Sequence, residues 1–422
     1  MSDNIVIVGA SHAAAQACVS LRQLGWQGGL HLVSAEACLP YHRPPLSKSF
    51  MSGEDTLDDI LIRPASAYEE LDVTLYLGTR ATRIDRTAGI VVLDRGGPLP
   101  YSKLILATGA RVRRLDLPGA ASAKDGDGVF YLRDRADALS IREAVRGGAR
   151  SALIIGGGYI GLEVAASLRK LGLDVRVLEA QDRILQRVTT PEMSAFYRRV
   201  HTEEGVAIVE GATARSIARQ SGEKGEGLRV ATTAGDFEAD MVVVGIGVIP
   251  NVELAAAAGL EIGDPARGES GIRVDAFGRT SDPDIYAIGD VAWHHNDLYE
   301  RHMRVESVPN ATHMAKVASA HILRPAAAPP RAALPWFWSD QYDLKLQIAG
   351  LSQGADRAVV RGDMLSGRSV AVFHFKDERL VAVDAVNAPR AFMFAKLAIP
   401  KGMALDPVKL ADPATDLKAC II

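Results

Sequence analysis

One stretch of this chain occurs twice. Residues 5–25 read IVIVGASHAAAQACVSLRQLG, and residues 152–172 read ALIIGGGYIGLEVAASLRKLG. A single constant offset carries Gly9 onto Gly156, Ser20 onto Ser167, Leu21 onto Leu168, Arg22 onto Arg169 and Gly25 onto Gly172. Each copy is an apolar run, a turn of small residues and an amphipathic helical pattern, and each is followed by a second apolar run, LHLVS or VRVLE. Strand, tight turn, helix and strand at this spacing specify a βαβ unit with a parallel pair, because a parallel return needs a crossover of that length. Each half later carries a polar hairpin pattern and a closing strand, KLILATG (103–109) or MVVVGIG (241–247). Chance likeness between two amphipathic helices does not hold register through both turn and helix.

A chain of 422 residues exceeds one ordinary domain, and 48% hydrophobic residues supply more than one core. The net charge of −3 gives no overall attraction to nucleic acid or anionic membrane. No run approaches the ~20 apolar residues that span a bilayer, and MSDNIVIVGAS lacks the basic start of a signal peptide. The expectation is a cytoplasmic protein without nucleic-acid or membrane partners, a monomer or weak dimer. The three cysteines, Cys18, Cys38 and Cys420, form neither a disulfide framework nor a zinc site, so no metal is expected. Residues 118–128 (PGAASAKDGDG) read as a connector and 324–335 (RPAAAPPRAALP) as a linker. Beyond the linker, LKLQIAG (344–350), RAVVRG (357–362), SVAVFHF (369–375) and RLVAVDAV (379–386) alternate like antiparallel strands, with a short helix around 388–399. The fold class is therefore α/β, with two Rossmann-like dinucleotide-binding domains and a C-terminal α+β domain.

The second turn, Gly156-Gly-Gly158-Tyr159-Ile160-Gly161, is a full GxGxxG between a strand and a helix. The first glycine makes the turn, the second admits a pyrophosphate and the third lets helix pack on strand. The helix N-terminus then offers N–H groups to the phosphates. Glu179 closes the next strand, where an acid meets a ribose 2′-hydroxyl and repels the 2′-phosphate of NADP. Arg183 and Arg187 follow and leave some tolerance of NADP open. The first turn departs from the pattern: Gly9-Ala-Ser11-His12-Ala13-Ala14 has Ser at the second glycine position and Ala at the third. Ser34 aligns with Glu179, so Glu36 is the nearest candidate for a ribose, with an exposed turn residue as the other reading.

Two such units imply two nucleotides, a mobile nicotinamide cofactor and, most economically, a tightly bound flavin. In TSDPDIYAIGDVA (280–292) a strand runs into Gly289-Asp290, where an acid can bond ribityl hydroxyls or cap a helix. Val305-Glu-Ser-Val-Pro-Asn-Ala311 begins another helix whose N-terminus can stabilise charge on a reduced flavin ring.

Several phrases carry a resemblance: Leu39-Pro-Tyr-His-Arg43-Pro-Pro-Leu-Ser-Lys48, Ile105-Leu-Ala-Thr-Gly109, Ile155 to Glu163, Tyr286-Ala-Ile-Gly-Asp290, Glu306-Ser-Val-Pro-Asn-Ala311 and Pro335-Trp-Phe-Trp-Ser-Asp-Gln341. The sequence resembles the bacterial FAD-dependent ferredoxin reductases of oxygenase systems, the group of putidaredoxin, rhodocoxin and biphenyl dioxygenase ferredoxin reductases. The resemblance spans nearly the whole chain. It implies a glutathione-reductase-like fold, with an FAD-binding domain (1–115 and 249–325) interrupted by an NADH-binding domain (116–248), then a C-terminal domain (326–422). It implies FAD contacts from Arg43, Lys48, Ala81, Arg133, Asp290, Val308 and Trp338. Gly9, Ser11, His12, Ala13 and Ala14 of the first turn, with Ala35, Glu36, Ala107, Thr108 and Gly109, complete that candidate set. Around NADH it implies Ile160, Glu163, Glu179, Arg187 and Gly247, beside Gly156, Gly158, Tyr159 and Gly161. Lys48 and Glu163 are the candidate catalytic pair, expected to be ion-paired, with Glu163 in the first turn of its helix.

Disulfide reductases of this fold place a thiol pair beside the flavin, and related oxidases and peroxidases place one reactive cysteine there. Here that stretch is PPLSKSFM, and Cys38 is expected to be a small buried residue. Without a thiol relay, electrons leave the flavin singly, which suits a [2Fe–2S] ferredoxin. The implied activity is NADH:ferredoxin reduction serving a monooxygenase or dioxygenase. The rivals are an NADH-dependent flavoprotein reducing a small acceptor, monodehydroascorbate- or quinone-reductase-like, and a non-catalytic flavoprotein. His294, His295 and His302 fit no ligand spacing and are expected on a surface loop.

Overall fold

The computed structural model describes residues 3–120, 128–222, 225–328 and 333–422, so the connector and the linker lie partly outside the described residues. The chain gathers into two compact units: Met1–Arg43, Leu57–Arg111 and Ile249–Pro335, and Pro44–Thr56, Val112–Val248 and Trp336–Ile422.

The first unit is built on a five-stranded parallel sheet in the order Ile285–Ala287, Lys103–Leu106, Asn4–Val8, Gly29–Val33, Thr74–Tyr76. The second holds its counterpart, ordered Ala207–Val209, Asp174–Leu178, Ser151–Ile155, Met241–Val244, Val129–Tyr131. The repeat is kept to the residue. Val8 pairs with Val33 and Leu106, and Ile155 pairs with Leu178 and Val244, each the last residue of its strand. Apolar runs such as IVIV and ALII suit such strands because helices or hairpins cover both faces of the sheet. Under one face Ile5, Ile7, Leu30, Leu32 and Ile105 pack against Ala14, Ala17 and Leu21 of helix His12–Gln23. In the second unit Ile154, Val175 and Val177 pack against Leu162, Ala165 and Leu168 of helix Tyr159–Lys170. A three-stranded antiparallel excursion precedes the closing strand in each half, Ala81–Asp85 to Leu99–Pro100 and Ala214–Gly222 to Gly235–Ala239.

The second unit also contains an antiparallel sheet ordered Trp336–Gln341, Leu344–Gly350, Arg379–Val386, Val370–Lys376, Arg357–Gly362, with helix Pro389–Ala398 packed on it. The sequence pattern located the last four strands and missed the first. WFWSDQ does not alternate, and its turn is Tyr342-Asp343 with Tyr342 at φ +56°, a conformation usually signalled by Gly or Asn. What makes it a strand is its full ladder with Leu344–Gly350. The histidine reading is also corrected. His294, His295 and His302 lie on the hairpin strands Ala292–Asn296 and Arg301–Met303, not on a loop; His295 pairs with His302, while His294 is buried. Among the described residues no cluster of three or more His, Cys, Asp or Glu side chains could hold a metal ion. No described helix is long and apolar enough to cross a membrane.

Candidate functional site

In the second unit Gly156 leaves its strand at φ +113°, and a Cβ there would lie 2.4 Å from the Gly245 carbonyl oxygen. A Cβ on Gly161 would lie 2.0 Å from the Gly156 carbonyl oxygen, so this glycine is required by the closeness of helix and turn. Gly158 is the extended N-cap of the helix, has no side chain to bond the first N–H groups, and its Cβ position meets nothing within 4 Å. A helix N-terminus without a side-chain cap, behind a turn no Cβ crowds, fits a pyrophosphate. Beside it the half-buried Glu179 accepts the Gly157 N–H through Oε2 at 2.7 Å and the Gln181 N–H through Oε1 at 2.8 Å. Arg183 is committed elsewhere: its guanidinium donates to Ser194 Oγ and to the carbonyls of Thr189 (2.9 Å) and Gln186 (3.3 Å). Arg187 is exposed, its Nη2 3.8 Å from the Cβ position of Gly247, so the structure brings these two candidates together. Ile160 is 47% exposed beside the turn, whereas the Tyr159 ring packs on Phe337 at 4.9 Å.

Lys48 and Glu163 meet in the same unit. Lys48 Nζ is 2.6 Å from Glu163 Oε2, with Glu163 3% exposed. Glu163 stands in the second turn of helix Tyr159–Lys170 rather than the first, so the helix dipole is a lesser influence than its three side-chain donors. Those donors are Lys48, Ser47 Oγ and Ser339 Oγ, the last at 2.6 Å. Neither serine was singled out from the sequence, although both sit inside phrases that carried the resemblance. Lys48 also lines a cleft of about 710 Å³ with Ser167, Arg169, Asp340 and Tyr342.

The first unit repeats the turn. Gly9 has φ +108°, and a Cβ on it would lie 2.1 Å from the Ala107 carbonyl oxygen. Ser11 is the extended N-cap and makes no side-chain cap bond, so its hydroxyl does not compete for the helix N–H groups. His12, Ala13 and Ala14 are buried in the first helical turn. Gly9 N–H donates to the Val33 carbonyl as Gly156 N–H does to Leu178, so Ser34 holds the place of Glu179. Glu36 is half-buried, pairs with Arg43 and accepts from the Tyr41 hydroxyl; Arg43 Nη1 donates to that hydroxyl at 2.8 Å. It is not an exposed turn residue. Thr108 Oγ1 donates to the Asn251 carbonyl at 2.9 Å, and Asn251 Nδ2 returns a bond to the Thr108 carbonyl at 2.8 Å, bracing the end of the closing strand beside Ala107 and Gly109. Asp290 lies inside the 3-10 turn Gly289–Val291, whose N-cap is Ile288, which corrects the capping role; its carbonyl accepts from Arg304 Nη1 at 2.9 Å. Val308 is the first residue of helix Val308–Leu323, capped by Ser307. Ala81 opens its strand, and Ala35 is exposed. Of the remaining candidates Lys48, Arg133 and Trp338 belong to the other unit, where Trp338 lies 5.6 Å from Trp336, ring to ring.

None of the three cysteines is in a disulfide. Cys38 is half-buried rather than buried, because it lies in a loop beyond the second strand. Cys18 is fully buried in helix His12–Gln23, and burial pushes its thiol up to about 12.

Two duplicated parallel sheets, each followed by a helix N-terminus with no side-chain cap bond and one of them with an acid beside it, suit two dinucleotides. The pyridine nucleotide-disulphide oxidoreductase model matches residues 3–315, and the reductase C-terminal model matches residues 336–421. The chain is 39% identical to putidaredoxin reductase of Pseudomonas putida, covering 100% of this chain and 97% of the relative. It is 43% identical to the ferredoxin–NAD(+) reductase component of the anthranilate 1,2-dioxygenase system of Burkholderia cepacia, covering 99% of each. The solved covalent putidaredoxin reductase–putidaredoxin complex matches with a TM-score of 0.91 at 39% identity, over 99% of this chain and 97% of that one. The chain belongs to the pyridine nucleotide-disulphide oxidoreductase family, and within it to the ferredoxin reductases of oxygenase systems.

Proposed function

We propose that this chain is an FAD-containing, NADH-dependent ferredoxin reductase that delivers electrons to a [2Fe–2S] ferredoxin serving an oxygenase. The observation that carries this reading is the full-length likeness to ferredoxin reductases, which runs through both nucleotide turns and the C-terminal sheet. Bound FAD supplies the chemistry, accepting a hydride from NADH and releasing electrons one at a time. In this reading residues 1–115 and 249–325 hold FAD, 116–248 hold NADH and 326–422 form the C-terminal domain. The helix at Tyr159 receives the NADH pyrophosphate, Glu179 bonds the ribose and rejects a 2′-phosphate, and Glu163 orients the nicotinamide through its contact with Lys48. The Lys48 ammonium favours negative charge at the flavin. Arg43, Asp290 and the start of helix Val308–Leu323 hold the rest of FAD. The protein works in the cytoplasm as a monomer or weak dimer.

Purified protein is expected to be yellow with one FAD per chain. NADH oxidation is then measured with a [2Fe–2S] ferredoxin, a quinone or ascorbyl radical as acceptor. Faster turnover with the ferredoxin supports the reading. Turnover with only the small acceptors favours the monodehydroascorbate- or quinone-reductase class, and a folded protein that takes up no flavin overturns both.

A further inference from the structure

Glu163 stands at the end of a buried line of hydrogen bonds that leads away from Lys48. Ser339 Oγ donates to Glu163 Oε1 at 2.6 Å, and Gln341 Nε2 donates to Ser339 Oγ at 3.2 Å. His201 Nε2 lies 2.8 Å from Gln341 Oε1, and the Tyr342 hydroxyl lies 3.0 Å from His201 Nδ1. Ser339 and His201 are 0% exposed, Gln341 2% and Glu163 3%, so water does not stand in for any link between Glu163 and His201. A strand, a helix and the turn residue Tyr342 supply the line. Ser339 and Gln341 alternate on strand Trp336–Gln341 and so share a face, and His201 lies in the last turn of helix Pro191–Glu203.

The directions of these bonds follow from one end. An ionised carboxylate only accepts, so the Ser339 hydroxyl must donate to Glu163. That leaves a Ser339 lone pair to accept from the Gln341 amide nitrogen. Gln341 then offers its oxygen to His201, so the His201 proton must sit on Nε2. Nδ1 is bare and accepts the Tyr342 phenol. Every donor points toward Glu163. The weak member is Gln341, because the two ends of an amide have nearly the same shape and packing alone does not choose between them. The Ser339 lone pair on one side and the Nε2–H of His201 on the other choose together.

We propose that His201 and Gln341 are positioning residues for the chemistry at Glu163: by fixing the Gln341 amide they hold the Ser339 hydroxyl on the carboxylate. This rests on the reading that Glu163 faces the nicotinamide. Without the His201 donor the buried Gln341 oxygen has no partner, the amide is no longer held against Ser339, and the bond from the Ser339 hydroxyl to Glu163 loses its support. Losing a donor to the ionised form favours protonation. Burial pushes His201 down to about 4, against the opposing hydrogen bond to Gln341 and the charge of Glu204, so the ring is neutral at working pH and carries one N–H. The groups that face Glu163 are Lys48, Ser47, Ser339 and, electrostatically, Tyr197; those facing His201 are Gln341, Tyr342 and Glu204.

The test uses the FAD-loaded enzyme. In protein labelled with ¹⁵N-histidine, His201 is expected as the neutral Nε2–H tautomer at pH 7; the Nδ1–H tautomer or an imidazolium overturns the proposal. In stopped-flow flavin reduction, His201→Leu and Ser339→Ala should each slow the step about tenfold and raise its acid limb by about one pH unit, the effect of losing one bond to a charged group. His201→Gln, which restores an N–H donor, should recover most of the rate. In a Ser339→Ala background, His201→Leu should add nothing, since its path to Glu163 is already cut. Additive effects, or an unmoved pH profile in both single variants, overturn the proposal even if His201→Leu folds poorly, because Ser339→Ala and the tautomer stand apart from it. Unchanged flavin reduction in Glu163→Gln would instead sink the reading of the site itself.

Discussion

Lys48 Nζ lies 2.6 Å from Glu163 Oε2, and the two are unequally buried, with side chains 20% and 3% exposed. Lys48→Met leaves a buried carboxylate with only Ser47 and Ser339 as donors, whereas Glu163→Ala leaves a lysine that can reach water. Breaking a buried pair from one side costs about 3–5 kcal/mol, with the larger share expected from the Lys48 change. Both variants should slow flavin reduction by NADH, measured by stopped flow, while keeping FAD. The double variant should be less impaired than the product of the singles, with a coupling of about 0.5–3 kcal/mol. Strictly multiplicative effects would reject the pair as a functional unit.

Glu179 does two things that separate on mutation. Its charge faces the nucleotide turn, and its oxygens accept the N–H groups of Gly157 and Gln181. Glu179→Gln removes the charge but keeps an acceptor oxygen for one of them. It should narrow the preference for NADH over NADPH in kcat/KM by about tenfold, or about 1.4 kcal/mol, with little loss of Tm. Glu179→Ala should narrow it similarly and also lower stability by about 1 kcal/mol, for the lost bonds. Equal kcat/KM for both cofactors in the unmodified protein would remove Glu179 from the selection.

The duplicated turn was legible because it is local: strand, glycine turn and helix follow one another, and the apolar period changes where the backbone does. The same holds for the strands from Leu344 onward. Strand Trp336–Gln341 was not legible, because its pairing rather than its own pattern makes it a strand. The Lys48–Glu163 pair was expected from the resemblance, but Ser47 and Ser339 were not, since a serine carries no periodic signal and these two meet Glu163 only through folding. Glu36 shows the same limit: its partner Arg43 lies in a quoted phrase, yet nothing in the spacing says that they touch.

The cysteines should be dispensable. Cys18 is held as a thiol by burial, and none of the three cysteines is in a disulfide. Cys18→Ala, Cys38→Ser and Cys420→Ala combined should leave ferredoxin-dependent turnover within about twofold, with a stability loss of about 1–2 kcal/mol from the two buried sites. Collapse of turnover on Cys38→Ser alone, at unchanged FAD content and Tm, would revive a thiol relay through that half-buried residue.

His201 should leave a signature in the acid stability of the fold. Its ring is 0% exposed, and desolvation holds it at about 4, below the ordinary 6.5. The unfolded chain therefore takes up a proton near pH 6.5 that the folded chain refuses until about pH 4. A depressed folded value means that the stability from neutral burial is fully present above pH 6.5 and is lost as pH falls through that window. The total is about 3 kcal/mol, and below about pH 4 this residue contributes no further slope. Other groups titrate in the same range, so the useful quantity is the difference between the unmodified protein and His201→Gln, whose amide does not titrate. Guanidinium midpoints of the FAD-loaded protein at pH 7, 5.5 and 4.5 should converge as pH falls, the unmodified protein losing its advantage. Parallel curves would mean that His201 takes its proton as readily in the fold as outside it, which would set an Nδ1–H against the Tyr342 phenol in place of the bare nitrogen that accepts it.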